Sequence, residues 1–213
     1  MKIVHPRVCC GIVLLAFSLL GTSCDSDHKP ITNHDPGNND LNTVVALGDS
    51  ITNGYVSRST PYPRRLADMI GKRVINSGIP GSRATEGACR IQRVINQHRP
   101  AFMLIIYGAN DVIFGQDLPR IVDALNHMIH VCRANHVVPV LATLPPQIFD
   151  HDPFGPPTFA LNIEIRALAR ANGVRYVDLE REFQDRPELY MRDGLHPNGE
   201  GNHVMAMAFA DLF

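Results

Sequence analysis

Apolar and polar positions follow two different spacings along most of this chain. An unbroken apolar run over 102–107 is typical of a parallel strand that is covered on both faces of a sheet. Over 84–98, apolar residues recur three or four positions apart, which predicts one buried face of a helix. The same patterns predict strands over 43–47, 73–76, 102–107, 137–143 and 175–179, and helices over 61–70, 84–98, 118–133, 158–171 and 200–213.

Strand and helix alternate five times in this order, with connections long enough only for crossovers. The predicted fold class is therefore α/β, with a five-stranded parallel sheet, right-handed crossovers and a three-layer α/β/α sandwich. Gly71 and Gly173 are expected to stop helices, and Asn135 is expected to be a left-handed cap. The segment 147–157, rich in Pro, Gly and Asp, is expected to be a loop. A chain of 213 residues with 45% hydrophobic content fits one well-filled core.

The first 40 residues do not share this alternation. Lys2 and Arg7 precede an apolar run over 8–20, and no acidic residue occurs before Asp25. This is the pattern of a secretion signal. The run is short for a membrane span, which needs about 20 residues. Residues 25–40 hold one large apolar residue and two prolines, so they predict a flexible linker with a reach of roughly 20 to 25 Å. The predicted parts are a signal peptide over 1–24, a linker over 25–40 and one domain over 41–213.

The predicted signal ends in the sequence LGTSC, which resembles the lipobox of bacterial lipoproteins. In a lipobox the cysteine, here Cys24, is acylated and becomes the mature N-terminus. The leucine stands four residues before the cysteine instead of three, and the alternative is an ordinary signal peptide cut near Ser23. The lipoprotein is favoured, which predicts export and attachment to the membrane of a bacterial cell envelope through Cys24; otherwise the protein is secreted.

Charge and cysteine content exclude some partners. The chain has 20 Lys and Arg against 21 Asp and Glu, and removing 1–24 takes away two cations, so the mature net charge is −3. No basic tract is present to neutralise a phosphate backbone, and nucleic acid is not an expected partner. His127 and His130 share a helix, but no carboxylate or cysteine of suitable spacing completes a metal site. No metal and no organic cofactor is expected. Cys89 and Cys132 fit either a disulfide or two buried thiols.

Polar residues follow several of the predicted strands. Ser50 comes just after the first strand, Gly78 after the second, Asn110 after the third, and Asp193 and His196 after the fifth strand and its loop. The carboxyl ends of parallel strands share one edge of a sheet, where open α/β sheets bind their ligands. We therefore expect these residues to converge.

These residue types are sufficient for acyl transfer. A serine hydroxyl attacks a carbonyl carbon once an imidazole takes its proton, a task suited to a group that titrates near neutral pH. Asp193, three residues before His196, can orient that imidazole and stabilise its charged form. The backbone N–H groups of Ser50 and Gly78 and the amide of Asn110 can hold the oxyanion.

The four segments GDSITNGY, INSGIPGS, YGANDV and DGLHPN resemble the motifs of the SGNH hydrolases, also called the GDSL esterase family, over roughly 43–213. Ile51 replaces the family's leucine, a position without a catalytic group. The resemblance implies a flavodoxin-like sheet of order 2-1-3-4-5 and assigns nucleophile, triad and oxyanion roles to the residues named above. It also implies hydrolysis of carboxylic esters, with thioesters and lysophospholipids as further substrates.

Other functions and roles stay open at this point. Deacetylation of a polysaccharide is the alternative enzyme activity, so the expected substrate is a small-molecule, lipid or glycan ester. A carbohydrate-binding protein without turnover is disfavoured because every catalytic position is filled. Asp49 is expected to cap a turn or helix, and Asp111 to bond backbone near Asn110. An acyl pocket beside Ser50 and simple packing are equally good interpretations of four apolar residues: Ile113, Phe114, Ile148 and Phe149.

Overall fold

The computed structural model describes residues 35–54 and 56–213. The predicted signal peptide, the predicted acylation site at Cys24 and most of the predicted linker lie outside these residues. Within them, no helix combines the length and the apolar character that crossing a membrane requires.

The fold is a five-stranded parallel sheet with helices on both faces. The strands are β1 Asp40–Gly48, β2 Arg73–Gly78, β3 Pro100–Ile106, β4 Val138–Ala142 and β5 Arg175–Val177. Their order in the sheet is β2-β1-β3-β4-β5, and every pair of neighbours is parallel. The predicted α/β class and strand order are confirmed. All five carboxyl ends consequently lie along one edge.

Eight α-helices accompany the strands in the described part of the chain. They are α1 Ser50–Asn53, α2 Tyr62–Ile70, α3 Ala84–His98, α4 Ala109–Ile113, α5 Leu118–Ala134, α6 Gly155–Asn172, α7 Leu179–Phe183 and α8 Gly199–Ala210. Helices α3, α5 and α6 pack in sequence on one face, and α2 packs with α8 on the other. The stacked rings of Tyr62 and Phe209, with centroids 5.2 Å apart, join α2 to α8.

Several predicted element ends are wrong for local reasons. Asn135 is not a left-handed cap: its φ is −110°, and its side chain donates to the Val131 carbonyl, while His136 takes the positive φ of 57°. The predicted loop at 147–157 contains a 3₁₀ helix, Phe149–Phe154, and the first turn of α6. The prolines in that first turn cost no hydrogen bond, because its N–H groups have no partner within the helix.

Two further ends also differ. The predicted fifth strand stops at Val177, because Asp178 caps α7 by accepting from the backbone of Arg181. The predicted C-terminal boundary of the linker, residue 40, falls within the folded domain. Asn39 donates to the carbonyls of Asn135 and His136, at 2.8 and 3.0 Å, and Asp40 opens β1. In contrast, Gly71 and Gly173 do cap helices with φ of 65° and 58°.

Candidate active site

Ser50 stands at a sharp turn from β1 into α1. Gly48 ends the strand, and Asp49 caps the helix by accepting from the Ile51 N–H at 2.9 Å. A side chain on Gly48 would place its Cβ 2.2 Å from Thr52 Oγ1, so only glycine fits between strand and helix. The predicted capping role of Asp49 is thus observed, and it places Ser50 in the first turn of α1.

Ser50, His196 and Asp193 form one connected line of hydrogen bonds. Nε2 of His196 lies 2.9 Å from Ser50 Oγ, although the two residues are 146 positions apart. Nδ1 of His196 lies 2.7 Å from Asp193 Oδ2. Donation from Nδ1–H to the carboxylate leaves the Nε2 lone pair directed at the serine hydroxyl. This is the tautomer that accepts a proton from serine.

Asp193 is held in its charged form by its neighbours. Burial raises the pKa of this carboxyl most strongly, but the backbone N–H groups of His196 and Leu195 and the imidazole together outweigh burial and lower the pKa. The two N–H groups lie 3.0 and 2.9 Å from Oδ1. The carboxylate is therefore available to stabilise an imidazolium.

A second segment supports the turn that carries Asp193 and His196. The Ile148 N–H donates to the Gly194 carbonyl at 2.9 Å, and Nδ1 of His151 lies 2.7 Å from the Asp193 carbonyl oxygen. Sequence reasoning missed His151, because a histidine in an apparent loop carries no signal of a contact 42 positions away. The supporting segment belongs to the region predicted as a loop.

Two of the three predicted oxyanion donors, the Gly78 N–H and the Asn110 amide, have protein partners in the free structure. The Gly78 N–H donates to Asn76 Oδ1 at 3.0 Å. Asn110 Nδ2 donates to the Ser82 carbonyl at 3.1 Å and to Asp49 Oδ2 at 3.3 Å. Catalytic hydrogen bonds often form fully only when substrate binds.

Gly78 has a packing reason for lacking a side chain. A Cβ there would lie 2.3 Å from the Asn53 nitrogen and 2.7 Å from the Asp49 carbonyl oxygen. The end of β2 therefore approaches α1 closely at Gly78, and the Asn53 side chain donates to the Gly78 carbonyl at 3.1 Å. The end of β2 and the helix that carries Ser50 are one packed unit.

Two carboxyl groups are buried close to the site. Burial raises the pKa of Asp49 to about 7; the hydrogen bond from Ile51 opposes this rise and the charge of Asp111 adds to it. Asp111 accepts from the Ala84 N–H with both oxygens, at 3.2 and 3.0 Å. Asp111 thus bonds backbone as predicted, and its partner is the first residue of α3, two residues after the Ser82 carbonyl that accepts from Asn110.

The four apolar residues expected near Ser50 lie in different surroundings. Ile148 and Phe149 line a cavity of about 440 Å³ together with Phe183 and Tyr190. Phe114 is 66% exposed and Phe149 is 53% exposed, while the half-buried Ile113 packs against the core.

Ser50 and His196 line a separate narrow cleft with Gly54, Val56 and Pro197, which is far smaller than the cavity beside Ile148 and Phe149.

The remaining candidate residues are separate from this cleft. Cys89 is exposed, Cys132 is buried, and both are free thiols, so neither the disulfide nor the pair of buried thiols is observed. His127 and His130 lie on α5. In the described ranges, no group of three or more potential ligands is arranged to hold a metal ion.

Comparisons with known proteins point to one family. The sequence pattern of the GDSL-like Lipase/Acylhydrolase family matches residues 46–204. The Escherichia coli protein named "Thioesterase 1/protease 1/lysophospholipase L1" is 27% identical over 180 residues, which are 77% of this chain and 79% of that protein. The arylesterase of Vibrio mimicus is 29% identical over 173 residues, 76% of this chain and 84% of that protein.

A solved structure shares the fold at lower sequence identity. It is a mutant of Axe2, an acetyl-xylooligosaccharide esterase from Geobacillus, with a TM-score of 0.69 and 20% identity. The similarity covers 79% of this chain and 92% of that one.

Proposed function

Because this chain belongs to the GDSL-like lipase and acylhydrolase family and is a hydrolase acting on ester bonds, we propose that it cleaves carboxylic esters through an acyl-enzyme on Ser50. His196 is the base and Asp193 orients it. The observation that carries the proposal is the 2.9 Å separation of His196 Nε2 and Ser50 Oγ, with Asp193 2.7 Å behind the imidazole. This geometry lets the Ser50 proton pass to His196 Nε2 without rearrangement, while Asp193 stays a carboxylate.

In the first half-reaction, Ser50 Oγ bonds to the ester carbonyl carbon while its proton passes to Nε2 of His196. The carbonyl oxygen becomes an oxyanion, which the N–H groups of Ser50 and Gly78 and the Asn110 amide stabilise, replacing Asn76 and Ser82 as acceptors. The intermediate then breaks its bond to the alcohol oxygen. The alcohol leaves with the proton from His196, and the acyl group stays on Ser50.

In the second half-reaction, water takes the place of the alcohol. His196 accepts a proton from the water as its oxygen bonds to the acyl carbon, and a second oxyanion forms at the same donors. Collapse breaks the bond to Ser50 Oγ, which regains a proton from His196. The carboxylic acid leaves, and the free enzyme is restored without a metal or an organic cofactor.

The substrate class is the finer part of the proposal. The names of the two curated relatives support acyl esters, thioesters and lysophospholipids. The fold shared with an acetyl-xylooligosaccharide esterase and the small size of the cleft at Ser50 support a second candidate, deacetylation of a polysaccharide. The exposed rings of Phe114 and Phe149 are the proposed contacts for longer acyl chains, with Ile113 and Ile148 beside them. A binding protein without turnover is not supported, since it needs no serine aligned with an imidazole.

Replacement of the nucleophile tests the function. Ser50→Ala should reduce hydrolysis of a short p-nitrophenyl ester by at least about 10⁴-fold with unchanged secondary structure, because no hydroxyl remains to form the acyl-enzyme. Thr43→Ala, which removes a buried hydroxyl near the opposite end of β1, is the matched control and should retain activity.

A panel of esters, from acetylated sugars to long-chain lysophospholipids, then separates the substrate classes by kcat/KM. Activity in Ser50→Ala comparable to that of the wild type would exclude the proposed nucleophile. A wild type that is inert on the whole panel would exclude the function.

A further inference from the structure

Arg90 on α3 is a buried cation with no carboxylate partner. Only 9% of its surface is exposed, and its guanidinium donates five hydrogen bonds, all to neutral oxygens. No ion pair within the described ranges includes it. Burying a charge without a counterion costs several kcal/mol, and apolar residues of similar volume often serve stability as well or better. Packing alone therefore does not explain a buried guanidinium at position 90.

The acceptors of Arg90 lie at the ends of three neighbouring strands. Nη2 donates to the Gly48 carbonyl at the end of β1, at 3.1 Å. Nη1 and Nη2 donate to the hydroxyl and carbonyl of Ser77 in β2, at 2.8 and 2.6 Å. Nε and Nη2 donate to the hydroxyl of Tyr107, directly after β3, at 3.2 and 2.6 Å.

Each of these ends leads directly into the candidate site. Gly48 precedes Ser50 by two residues, Ser77 precedes Gly78 by one, and Tyr107 precedes Asn110 by three. One side chain therefore fixes the relative positions of the nucleophile segment and both other segments that carry proposed oxyanion donors.

Gly87, one turn earlier on α3, allows this arrangement. A Cβ at Gly87 would lie 2.5 Å from the Tyr107 ring, so a side chain there would push the ring and its hydroxyl away.

The bond to the Ser77 carbonyl acts on the peptide whose N–H belongs to Gly78. A trans peptide directs its C=O and N–H to opposite sides, so anchoring the carbonyl on the guanidinium also fixes the direction of the N–H. A charged donor on the carbonyl polarises the peptide and strengthens its N–H as a donor. The attraction between the polarised Gly78 N–H and the substrate oxygen grows as negative charge develops on that oxygen. This attraction is stronger in a site partly shielded from water than in bulk solvent.

We propose that Arg90 is a positioning residue for the oxyanion hole, which aligns the Gly78 N–H and places positive charge behind it. The proposal rests on the proposed function. A positioning role can be distinguished from a purely structural one by measurement. In the positioning role, Arg90 stabilises the oxyanion formed during the reaction and not the bound ester. The loss on substitution therefore falls on kcat, while KM is largely retained.

The test compares R90Q and R90K with R93Q, a control at an exposed arginine three positions later on the same helix. In R90Q, kcat should fall by about 10- to 100-fold, less than the roughly 100- to 1,000-fold loss from deleting a donor outright, with KM within about threefold. R90K keeps the charge without the planar fork and should be intermediate. R93Q should match the wild type. All assays are run below the Tm of each variant.

Binding of an aryl trifluoromethyl ketone provides a second measurement. Addition of Ser50 Oγ to this ketone forms a hemiketal oxyanion, so its inhibition constant should rise in R90Q by about the same factor as kcat/KM falls. A folded R90Q with a lowered Tm but wild-type kcat and inhibition constant would show that Arg90 is only structural. If R90Q does not fold, R90K decides, and a kcat within about twofold of wild type overturns the proposal. An inert wild type would instead remove the proposed function itself and this role with it.

Discussion

Asp49 is an ionisable residue with no exposed surface, directly before the proposed nucleophile. Its carboxyl accepts from the Ile51 N–H and from the Asn110 amide, so it joins the first turn of α1 to a proposed oxyanion donor. Its pKa of about 7, raised mainly by burial, means that folding favours the protonated form. The charge of this residue is therefore coupled to stability near neutral pH.

The contribution of Asp49 to the stability of the protein should fall as pH rises from about 4 to 7. The unfolded chain loses the Asp49 proton near the usual pKa of 3.8, whereas the folded chain keeps it until about pH 7, so the unfolded state binds fewer protons between these values. Asp49 thus removes stability between about pH 4 and 7, by an amount on the order of 4 kcal/mol, and the loss levels off above pH 7.

Asp49→Asn cannot ionise, so the free energy of unfolding of wild type minus variant, from urea titrations at several pH values, should decrease across that range. The exposed Asp68 supplies the control Asp68→Asn. A difference that does not vary with pH would contradict the assigned titration.

Residues differ in how well the sequence identifies them. Ser50 and His196 were predicted because their motifs place them next to strand ends, and the topology alone then brings them together. Arg90 was not predicted, because an arginine on a helix usually points to solvent. Its acceptors come from strand ends 13, 17 and 42 positions away, which only the folded chain brings to it.

At the scale of elements, the turn at 193–196 depends on a glycine. Gly194 has φ of 70°, and a Cβ on it would lie 1.9 Å from the Ile148 carbonyl oxygen. The turn is therefore pressed against the segment before the 3₁₀ helix, and this contact sets the position of Asp193 and His196. The support comes from a region that the sequence presents as irregular.

Gly194→Ala should be severely destabilising and should lower kcat. The substitution combines backbone strain of about 1 to 2 kcal/mol with a clash against backbone, so a loss above about 3 kcal/mol in the free energy of unfolding is expected. The matched control is Gly71→Ala, since Gly71 has φ of 65° and open space around the added Cβ. This variant should lose only the stability that the backbone strain costs and should keep full activity. Chemical denaturation and ester kinetics measure both effects. Equal losses in the two variants would mean that the contact with Ile148 is unimportant.

The elements that the sequence predicted well are long and periodic. Both ends of α3 agree with the prediction, because its apolar face repeats over four turns. Helices α1 and α4 were missed, since four or five residues are too few to show a helical period. These short helices carry Ser50 and Asn110, so the least predictable elements are the ones closest to the candidate site.

At the scale of the whole molecule, attachment to a membrane remains a prediction from the sequence. An acyl chain adds about 0.8 kcal/mol of membrane affinity for each buried CH₂ group, so acylation of Cys24 would hold the domain at a bilayer. Cys24→Ser should move the protein from the membrane fraction to the soluble fraction without loss of ester hydrolysis. Cys89→Ser, at an exposed thiol in the domain, should leave the distribution unchanged. A Cys24→Ser protein that still sediments with membranes would exclude the anchor.

The parallel sheet was predictable as a whole because alternating strands and helices leave few topologies. The contacts that adjust the site, such as those of Arg90 and Gly194, were not predictable because they join residues without a shared pattern.

The direction of β1 has a consequence for access. Asp40 opens the strand and Gly48 closes it, so the chain enters the sheet at one rim and Ser50 lies beyond the other, about 30 Å away at 3.3 Å per residue. A bilayer holding residue 24 would lie on the side where the chain enters the sheet. The cleft at Ser50 lies at the opposite edge. Esters dissolved outside the cell or displayed on surrounding glycans would then reach the cleft from the side away from the membrane, whereas a lysophospholipid in the anchoring leaflet would require the domain to rotate on its predicted flexible linker.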